Sequence, residues 1–145
     1  MDLDFEKQSL ADRLRQAGFR RNAPAFISWL GVTMYLTRDA VTQTLRFVAE
    51  SCARGSEMVF DFSLPDTALG EAERIARAKR AANVAKIGEP WISYFDPASL
   101  IKELTAMGFS TAHHFGANEA NERYFSNRSD RFTLRGSARI MTARV

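Results

Sequence analysis

The sequence has little of what disulfide-bonded, membrane-spanning or dinucleotide-binding proteins require. Its 145 residues include one cysteine, Cys52, so no disulfide can form within the chain, and we expect a reducing, cytoplasmic location. No apolar run approaches the ~20 residues of a transmembrane helix, and the acidic residues near the N-terminus do not fit a signal peptide. No glycine-rich turn joins a strand to a helix, which excludes the usual dinucleotide cradle.

An excess of charge of one sign is also missing. The net charge is +3 at pH 7 and the isoelectric point is near 9.3, which is too weakly basic to indicate nucleic-acid binding. The most basic stretch, residues 73–86, reads ERIARAKRAANVAK. Its helical spacing predicts a solvated basic face and an apolar inward face made of Ile75, Ala78, Ala82 and Ala85. We therefore expect no nucleic-acid partner.

Metal ligands are equally scarce. The two histidines, His113 and His114, are adjacent, so their side chains point to opposite faces of a strand. No cysteine or acidic residue lies at ligand spacing from them. We therefore expect no metal site.

What the sequence does contain is enough apolar side chain for one α/β domain. Hydrophobic residues make up 46% of the chain and charged residues 26%, which is typical of a globular protein. Residues 25–31, AFISWLG, read as a strand buried on both faces, and Thr37 caps a helix that ends at Gly55. A second strand, SEMVFDF, follows at residues 56–62. Strand, helix and strand in this order predict a parallel sheet covered by helices.

The rest of the chain continues this alternation. Glycine and proline set most of the boundaries, and Asp96 before Pro97 is a strong signal for the start of a helix. The further predicted elements are a helix from Ser9 to Gly18, a helix over 68–87, a helix from Asp96 to Gly108, and strands over 109–116 and 132–145. The predicted fold is α/β, with about four strands, flanking helices and an antiparallel member among the last two strands.

Several segments, in order, match a known family. They read LDFEKQSLADRLRQAGF, PAFISWLGVTMYLT, GSEMVFDF, GEPWISYFDP, ANEANERYFSNR and SARIMTARV. Together they resemble the C-terminal half of the leucine carboxyl methyltransferase-like family, and most closely its bacterial branch of S-adenosylmethionine-dependent methyltransferases. The resemblance implies a partial class I methyltransferase (Rossmann-like) fold. Residues 1–145 would form a single C-terminal segment, without the N-terminal half that carries the glycine-rich cofactor-binding loop.

The resemblance also implies where the cofactor lies. Asp4 and Phe5 match a pair that lies by the cofactor's adenine in the family. Without the resemblance, an acidic residue so near the start of a chain is interpreted as a disordered surface residue. Trp29 and Leu30 fall where the family often has Trp-Glu, and that Glu contacts the cofactor. Leu30 cannot accept a hydrogen bond, so this one contact is in doubt. Without the resemblance, Trp29 reads as a core aromatic.

Three further residues are implied on the substrate side. Tyr35 follows the carboxyl end of the strand and points into a substrate pocket or, equally, is a buried turn residue with a satisfied hydroxyl. Glu89 and Trp91 belong to the GEPW stretch and are expected to line the same side. No catalytic residue is assigned, because direct methyl displacement needs alignment more than acid or base groups.

The implied function is S-adenosylmethionine-dependent methyl transfer, to an oxygen of a small molecule or to a carboxylate. Binding of S-adenosylmethionine by this chain is expected to be weak or absent, since the glycine-rich half is missing from it. The alternative is a non-enzymatic remnant or an interaction module that pairs with a separately encoded N-terminal half. In the family fold the AFISWLG strand lies inside the sheet, so one of its edges is expected to be bare here. Self-association, or such an N-terminal half as partner, would cover that edge.

Overall fold

The computed structural model describes residues 10–145, with side chains from residue 12 onward. Short 3-10 turns at Thr33–Tyr35 and Asp66–Ala68, and a π-helical turn at Asn121–Phe125, accompany the main elements. None of the helices in the described part of the chain is long and apolar enough to cross a membrane. In chain order the main elements are α1 (Leu10–Gln16), β1 (Phe26–Trp29), α2 (Arg38–Ser51), β2 (Glu57–Ser63), α3 (Glu71–Ala85), α4 (Pro97–Met107), β3 (Thr111–Phe115), α5 (Ala117–Ala120) and β4 (Ala138–Arg144).

Four strands form one mixed sheet in the order β1-β2-β4-β3. The strands β1 and β2 are parallel neighbours, with Trp29 opposite Phe60. The last strand, β4, runs antiparallel to both β2 and β3, and Met141 lies opposite Phe60. The predicted α/β fold with about four strands, a parallel first pair and an antiparallel member is confirmed.

The core lies on the face of the sheet that α2 and α4 cover. The strand β2 alternates, so that Met58, Phe60 and Phe62 are each at most 1% exposed while the residues between them face the other side. The apolar stripe of α2 and the buried side of α4 pack on these side chains; their buried members are Ala40, Val41, Leu45, Val48, Leu100 and Leu104. Cys52, expected in this stripe, is half-buried at the end of α2, and burial raises the pKa of its thiol.

The prediction that the AFISWLG strand is buried on both faces is wrong. Phe26 is 68% exposed and Ser28 is also exposed, whereas Ile27 and Trp29 face the core. The reason is that β1 lies at an edge of the described sheet and only one of its faces packs against a helix. The opposite face of the sheet is a mixture of half-buried and exposed side chains. We define this open sheet face by its members Phe26, Ser28, Glu57, Val59, Asp61, Thr111, His113, Phe115, Ile140, Thr142 and Arg144.

The predicted inward face of the basic helix is also wrong. Ile75 is 64% exposed, whereas the side chain that α3 buries is Arg77, which is 5% exposed. The guanidinium of Arg77 donates hydrogen bonds to the Leu64 carbonyl and to Asp66, and it lies 4.5 Å from the centre of the Tyr94 ring. Helix α3 therefore meets the loop after β2 through a buried charge. It starts at Glu71, later than predicted, because Asp66–Ala68 forms its own turn.

The last predicted strand, residues 132–145, is shorter in the structure and spans Ala138–Arg144. At Leu134 the side chain of Asn121 makes the two backbone hydrogen bonds that a neighbouring strand would otherwise make. Its Nδ2 donates to the Leu134 carbonyl at 2.9 Å, and its Oδ1 accepts from the Leu134 N–H at 2.6 Å. Residues 132–135 are thus held as a loop against the polar segment that follows β3.

Helix α4 begins at the predicted cap, and we expect the cap to make stability depend on pH. Asp96 Oδ1 accepts from the backbone N–H of Ser99 at 2.9 Å, which holds the pKa of Asp96 below its ordinary value. Since the folded pKa is the lower one, this contribution is complete above the unfolded pKa of about 3.9 and disappears as the pH falls through the folded pKa. Asp96→Asn keeps the acceptor without the charge, and Asp96→Ala removes both.

Thermal unfolding followed by circular dichroism tests this cap. At pH 7 we expect the melting temperature to fall from wild type through Asp96→Asn to Asp96→Ala. In acid below the folded pKa, wild type and Asp96→Asn should melt together. A gap between these two proteins that persists unchanged in acid would contradict the assignment.

Candidate functional site

Three strands end at the same edge of the sheet. The strands β1 and β2 are parallel, and β3 runs in the same direction because β4 is antiparallel to both β2 and β3. The carboxyl ends of β1, β2 and β3 therefore lie together, followed by the segments that start at Leu30, Leu64 and Gly116. In open α/β sheets the crevice outside these ends is where ligands bind.

The turn after β1 is anchored on β2. Gly31 has a φ of 73°, a left-handed conformation that glycine adopts without steric cost. Its N–H donates to Oδ1 of Asp61 at 2.7 Å, and the hydroxyl of the fully buried Thr33 donates to the Asp61 carbonyl at 2.6 Å. Asp61 thus fixes the turn through both its side chain and its backbone.

An extended segment, residues 91–95, ties the ends of both strands together, and we call it the strap. The N–H groups of Ile92 and Ser93 donate to the Met34 carbonyl at 2.8 and 3.3 Å. The hydroxyl of Ser93, a residue only 5% exposed, donates to the Leu36 carbonyl. At its other end the N–H of Phe95 donates to the Ser63 carbonyl at 2.9 Å. The strap therefore holds the GEPW stretch beside the turn after β1.

A cleft of about 520 Å³ opens between this turn and the GEPW stretch. Its lining residues are Gly31, Val32, Tyr35, Gly88, Glu89 and Pro90. Two residues expected on the substrate side, Tyr35 and Glu89, thus line the same cleft although they are far apart in sequence. Among the described residues that line it, Glu89 is the one carboxylate, and its side chain is exposed.

The structure describes two further expected site residues, Leu30 and Trp91, next to residues that line the cleft. Leu30 is 54% exposed at the mouth of the turn. Trp91 is half-buried, and its indole Nε1 is enclosed with no hydrogen-bond partner within the described structure. Asp4 and Phe5 lie outside the described residues.

Trp29 lies in the core beside a separate apolar cavity. It is 7% exposed, and its ring centre is 6.3 Å from that of Phe60. Trp29 helps to line this cavity, which has a volume of about 150 Å³ and lies between α1, β1 and α2. Its lining is mainly apolar and includes Leu14, Phe19, Ile27, Phe47, Val48 and Met58.

The histidine pair is arranged as its spacing predicts. His114 lies opposite Met141 on the core side of the sheet and is half-buried, whereas His113 lies opposite Thr142 and is exposed. Within residues 10–145, the structure contains no group of three or more His, Cys, Asp or Glu side chains that could hold a metal ion.

Sequence reasoning missed Asp61. Its signal was a single acidic residue within an otherwise apolar strand, VFDF. That signal indicates that Asp61 faces outward, but it does not identify a hydrogen-bond partner. The donor, the N–H of Gly31, is 30 residues away in sequence, and the pairing of β1 with β2 brings it to Asp61.

Comparison with known proteins shows what this chain is similar to. A family model described as leucine carboxyl methyltransferase matches residues 1–49. A Bacillus subtilis (strain 168) protein described as "Putative S-adenosyl-L-methionine-dependent methyltransferase YktD" is 32% identical over 130 residues, which cover 88% of this chain and 42% of that protein. The chain therefore spans less than half the length of this relative.

Two solved structures share the fold. A Bordetella parapertussis protein described as a possible exported protein matches with a TM-score of 0.55 and 16% identity, over 86% of this chain and 39% of its own. Human N-acetylserotonin methyltransferase, solved in complex with SAM, matches with a TM-score of 0.55 and 12% identity, over 99% of this chain and 32% of its own. At such identities the likeness shows the fold alone, which is part of a class I methyltransferase fold as predicted.

Proposed function

We propose that this chain, which is similar to leucine carboxyl methyltransferase-like proteins, takes part in S-adenosylmethionine-dependent methyl transfer to an oxygen, on a small molecule or a carboxylate. The observation that carries this proposal is the cleft at the carboxyl ends of β1 and β2, which brings Tyr35 and Glu89 together. The turn beside it is anchored by the hydrogen bonds that Asp61 accepts and by those of the strap, which suits a reaction that depends on alignment.

Asp61, which is hydrogen-bonded to the lining residue Gly31, suits a positively charged cofactor. When bound, S-adenosylmethionine supplies a methyl group on a sulfonium, whose neutral thioether is a good leaving group. Asp61 uses one carboxylate oxygen to accept from the Gly31 N–H, and its negative charge next to this turn would attract a sulfonium or an ammonium group. Leu30, at the mouth of the turn, offers apolar contact where the family often has a hydrogen-bond acceptor. We assign Asp61 and Leu30 to the cofactor side, together with Asp4 and Phe5, and Tyr35, Glu89 and Trp91 to the acceptor side.

A second candidate function is that of an interaction module that pairs with a separately encoded N-terminal half. The observation in its favour is that the outer edge of β1 has no partner strand within the described residues, and that the adjoining open sheet face leaves Phe26 68% exposed. The two candidates are compatible, since such pairing would complete the cofactor site.

Calorimetric titration tests the cofactor assignment. We expect the chain alone to bind S-adenosylmethionine with a dissociation constant weaker than ~10 μM, which is about −7 kcal/mol. Adding, as a separate polypeptide, the part of the Bacillus relative that this chain does not cover should tighten binding at least tenfold. Tight binding by the chain alone would show that it carries the cofactor site unaided.

Charge variants of the paired complex test the role of Asp61. Asp61→Asn keeps an acceptor for the Gly31 N–H but removes the charge, and it should weaken S-adenosylmethionine binding about tenfold, or about 1.4 kcal/mol. Asp39→Asn, a matched change at an exposed position in the first turn of α2, should leave the affinity unchanged. Equal affinities for Asp61→Asn and wild type would remove Asp61 from the cofactor side.

A further inference from the structure

The cavity beside Trp29 is a second place where the chain can hold a ligand, apart from the cleft. It lies between α1, β1 and α2, and none of its lining residues lines the cleft. Its volume is about 150 Å³. Voids larger than a water molecule are few in a folded domain, and apolar cavities of about 150 Å³ stay dry and take up one molecule the size of benzene.

The walls of the cavity are joined by hydrogen bonds. Helix α1 is followed by Gly18, at a φ of 78°, and the Phe19 N–H donates to the Leu14 carbonyl at 2.9 Å, so that both Leu14 and Phe19 reach the lining. Beyond this turn, Nε of Arg21 donates to the Ser51 carbonyl at 3.3 Å and Nη2 donates to the Ser51 hydroxyl at 3.1 Å. The segment after α1 is thus tied to the end of α2, which opposes collapse of the cavity between them.

The lining offers few hydrogen bonds to a water molecule. The hydroxyl of Thr44 already donates to the Ala40 carbonyl at 3.0 Å, and Ser28 stands on the open sheet face. The thiol of Cys52 is a weak donor. Most of the other lining side chains are aliphatic or aromatic. Since a buried water typically makes about three hydrogen bonds, an apolar molecule fits this lining better than water does.

We infer that this cavity is a binding site for one small apolar molecule with a single ring. The inference is independent of the proposed function, because no residue that lines the cleft takes part in it. The ligand would cover apolar surface of Leu14 on α1, Trp29 on β1 and Val48 on α2. Because it binds the folded chain and contacts all three elements, its binding should raise the melting temperature.

Toluene and phenol are a matched pair of ligands that test the site. They have the same shape, but phenol would bury a hydroxyl without a partner, so toluene should bind the full chain about tenfold more tightly. Incorporation of 5-fluorotryptophan supplies the location, because the chain has two tryptophans. Titration with toluene should move the ¹⁹F signal of Trp29, which lines the cavity, and leave that of Trp91 in place. Saturating toluene should raise the melting temperature by about 2–4 °C.

Variants that fill the cavity identify the binding site. Val48→Phe enlarges a buried lining side chain and should abolish the toluene-induced shift of Trp29. Cys52→Leu, at the half-buried end of α2, demands less of the core and should weaken toluene binding about threefold. Gln43→Leu, a matched change at an exposed position on α2 outside the lining, should leave the affinity unchanged.

Three results would overturn the inference. The first is a Trp29 signal that does not move with toluene, and the second is phenol binding as tightly as toluene. The third is wild-type affinity for toluene in a folded Val48→Phe or Cys52→Leu chain. Each of these measurements is made without cofactor, so none depends on whether the chain takes part in methyl transfer.

Discussion

The purified chain is expected to elute as a dimer or a larger assembly and not as a 16.3 kDa monomer. The strand β1 has β2 as its one neighbour in the described sheet, so its other edge presents unpaired backbone groups. Neither charge nor proline lies within FISW to discourage pairing with another strand. Size-exclusion chromatography with light scattering measures the mass directly.

The exposed aromatic side chain of β1 strengthens this expectation. Phe26 stands on the open sheet face and Leu30 just beyond the strand, so a contacting chain would cover apolar surface as well as backbone groups. A partner carrying the rest of the family fold would compete for this surface. We therefore expect the self-associated chain to dissociate when that partner is added in equimolar amount.

Charged substitutions on β1 show which surface is responsible. Phe26→Lys with Ser28→Lys places two lysines on the exposed side of the edge strand, and this double variant should shift the chain towards monomer. Ile75→Lys, at an exposed apolar position on α3, should not change the mass. A monodisperse wild-type monomer with a cooperative melt would mean that the edge of β1 is protected by another part of the chain.

The first strand pair and the buried face of β2 could be predicted, whereas the position of β4 between β2 and β3 was not. Alternation in β2 places Met58, Phe60 and Phe62 on one face, and the order of strand, helix and strand implies a parallel pair. What β1 buries could not be predicted in the same way. Its residues are apolar on both faces, and whether a second layer covers the outer one depends on what packs there and not on the strand itself.

Some residues of the candidate site could likewise be predicted from the sequence, and others could not. Tyr35 and Glu89 were expected on the substrate side through the family resemblance, and the structure places both in one cleft. Asp61 was not expected, since its role depends on a hydrogen bond across two strands. Local pattern identifies elements and their termini, whereas contacts between elements require the pairing of strands to be known.

Helix α3 shows most clearly that local pattern does not reveal contacts between elements. A prediction from an amphipathic pattern takes the inward face of a helix to be apolar. The guanidinium of Arg77 is buried, and it replaces water with the Leu64 carbonyl, the carboxylate of Asp66 and the ring of Tyr94. A helical wheel cannot detect such partners, since Asp66 and Tyr94 lie outside α3 in separate loops. The same contacts make Arg77 the connection between α3, the end of β2 and the strap.

Arg77→Ala is accordingly expected to lower the free energy of unfolding by about 2–4 kcal/mol. It leaves the Leu64 carbonyl buried without its donor, a cost of about 1–3 kcal/mol, and it removes a desolvated cation–π contact worth about 1–2 kcal/mol. Relief of the guanidinium's own desolvation offsets part of this loss. Denaturant unfolding of the variant and wild type measures the difference.

Three matched variants distinguish the buried contacts from the ion pair. Arg77→Lys should recover part of the loss, because one ammonium cannot reproduce the fork that reaches Leu64 and Asp66 together. Asp66→Asn should cost less than about 1 kcal/mol, since the Asp66 side chain is 67% exposed. Arg74→Ala, at an exposed position on the same helix, should stay within about 0.5 kcal/mol of wild type.

Hydrogen exchange shows whether Arg77 acts on the cleft as well as on global stability. The Phe95 N–H, bonded to the Ser63 carbonyl next to Leu64, should lose more protection in Arg77→Ala than amides in the centre of α2. That pattern means that the buried guanidinium holds the strap against the strand ends and thereby positions Glu89 and Trp91. Equal loss of protection at all of these amides would limit Arg77 to overall stability and would leave the strap's own hydrogen bonds as what shapes the cleft.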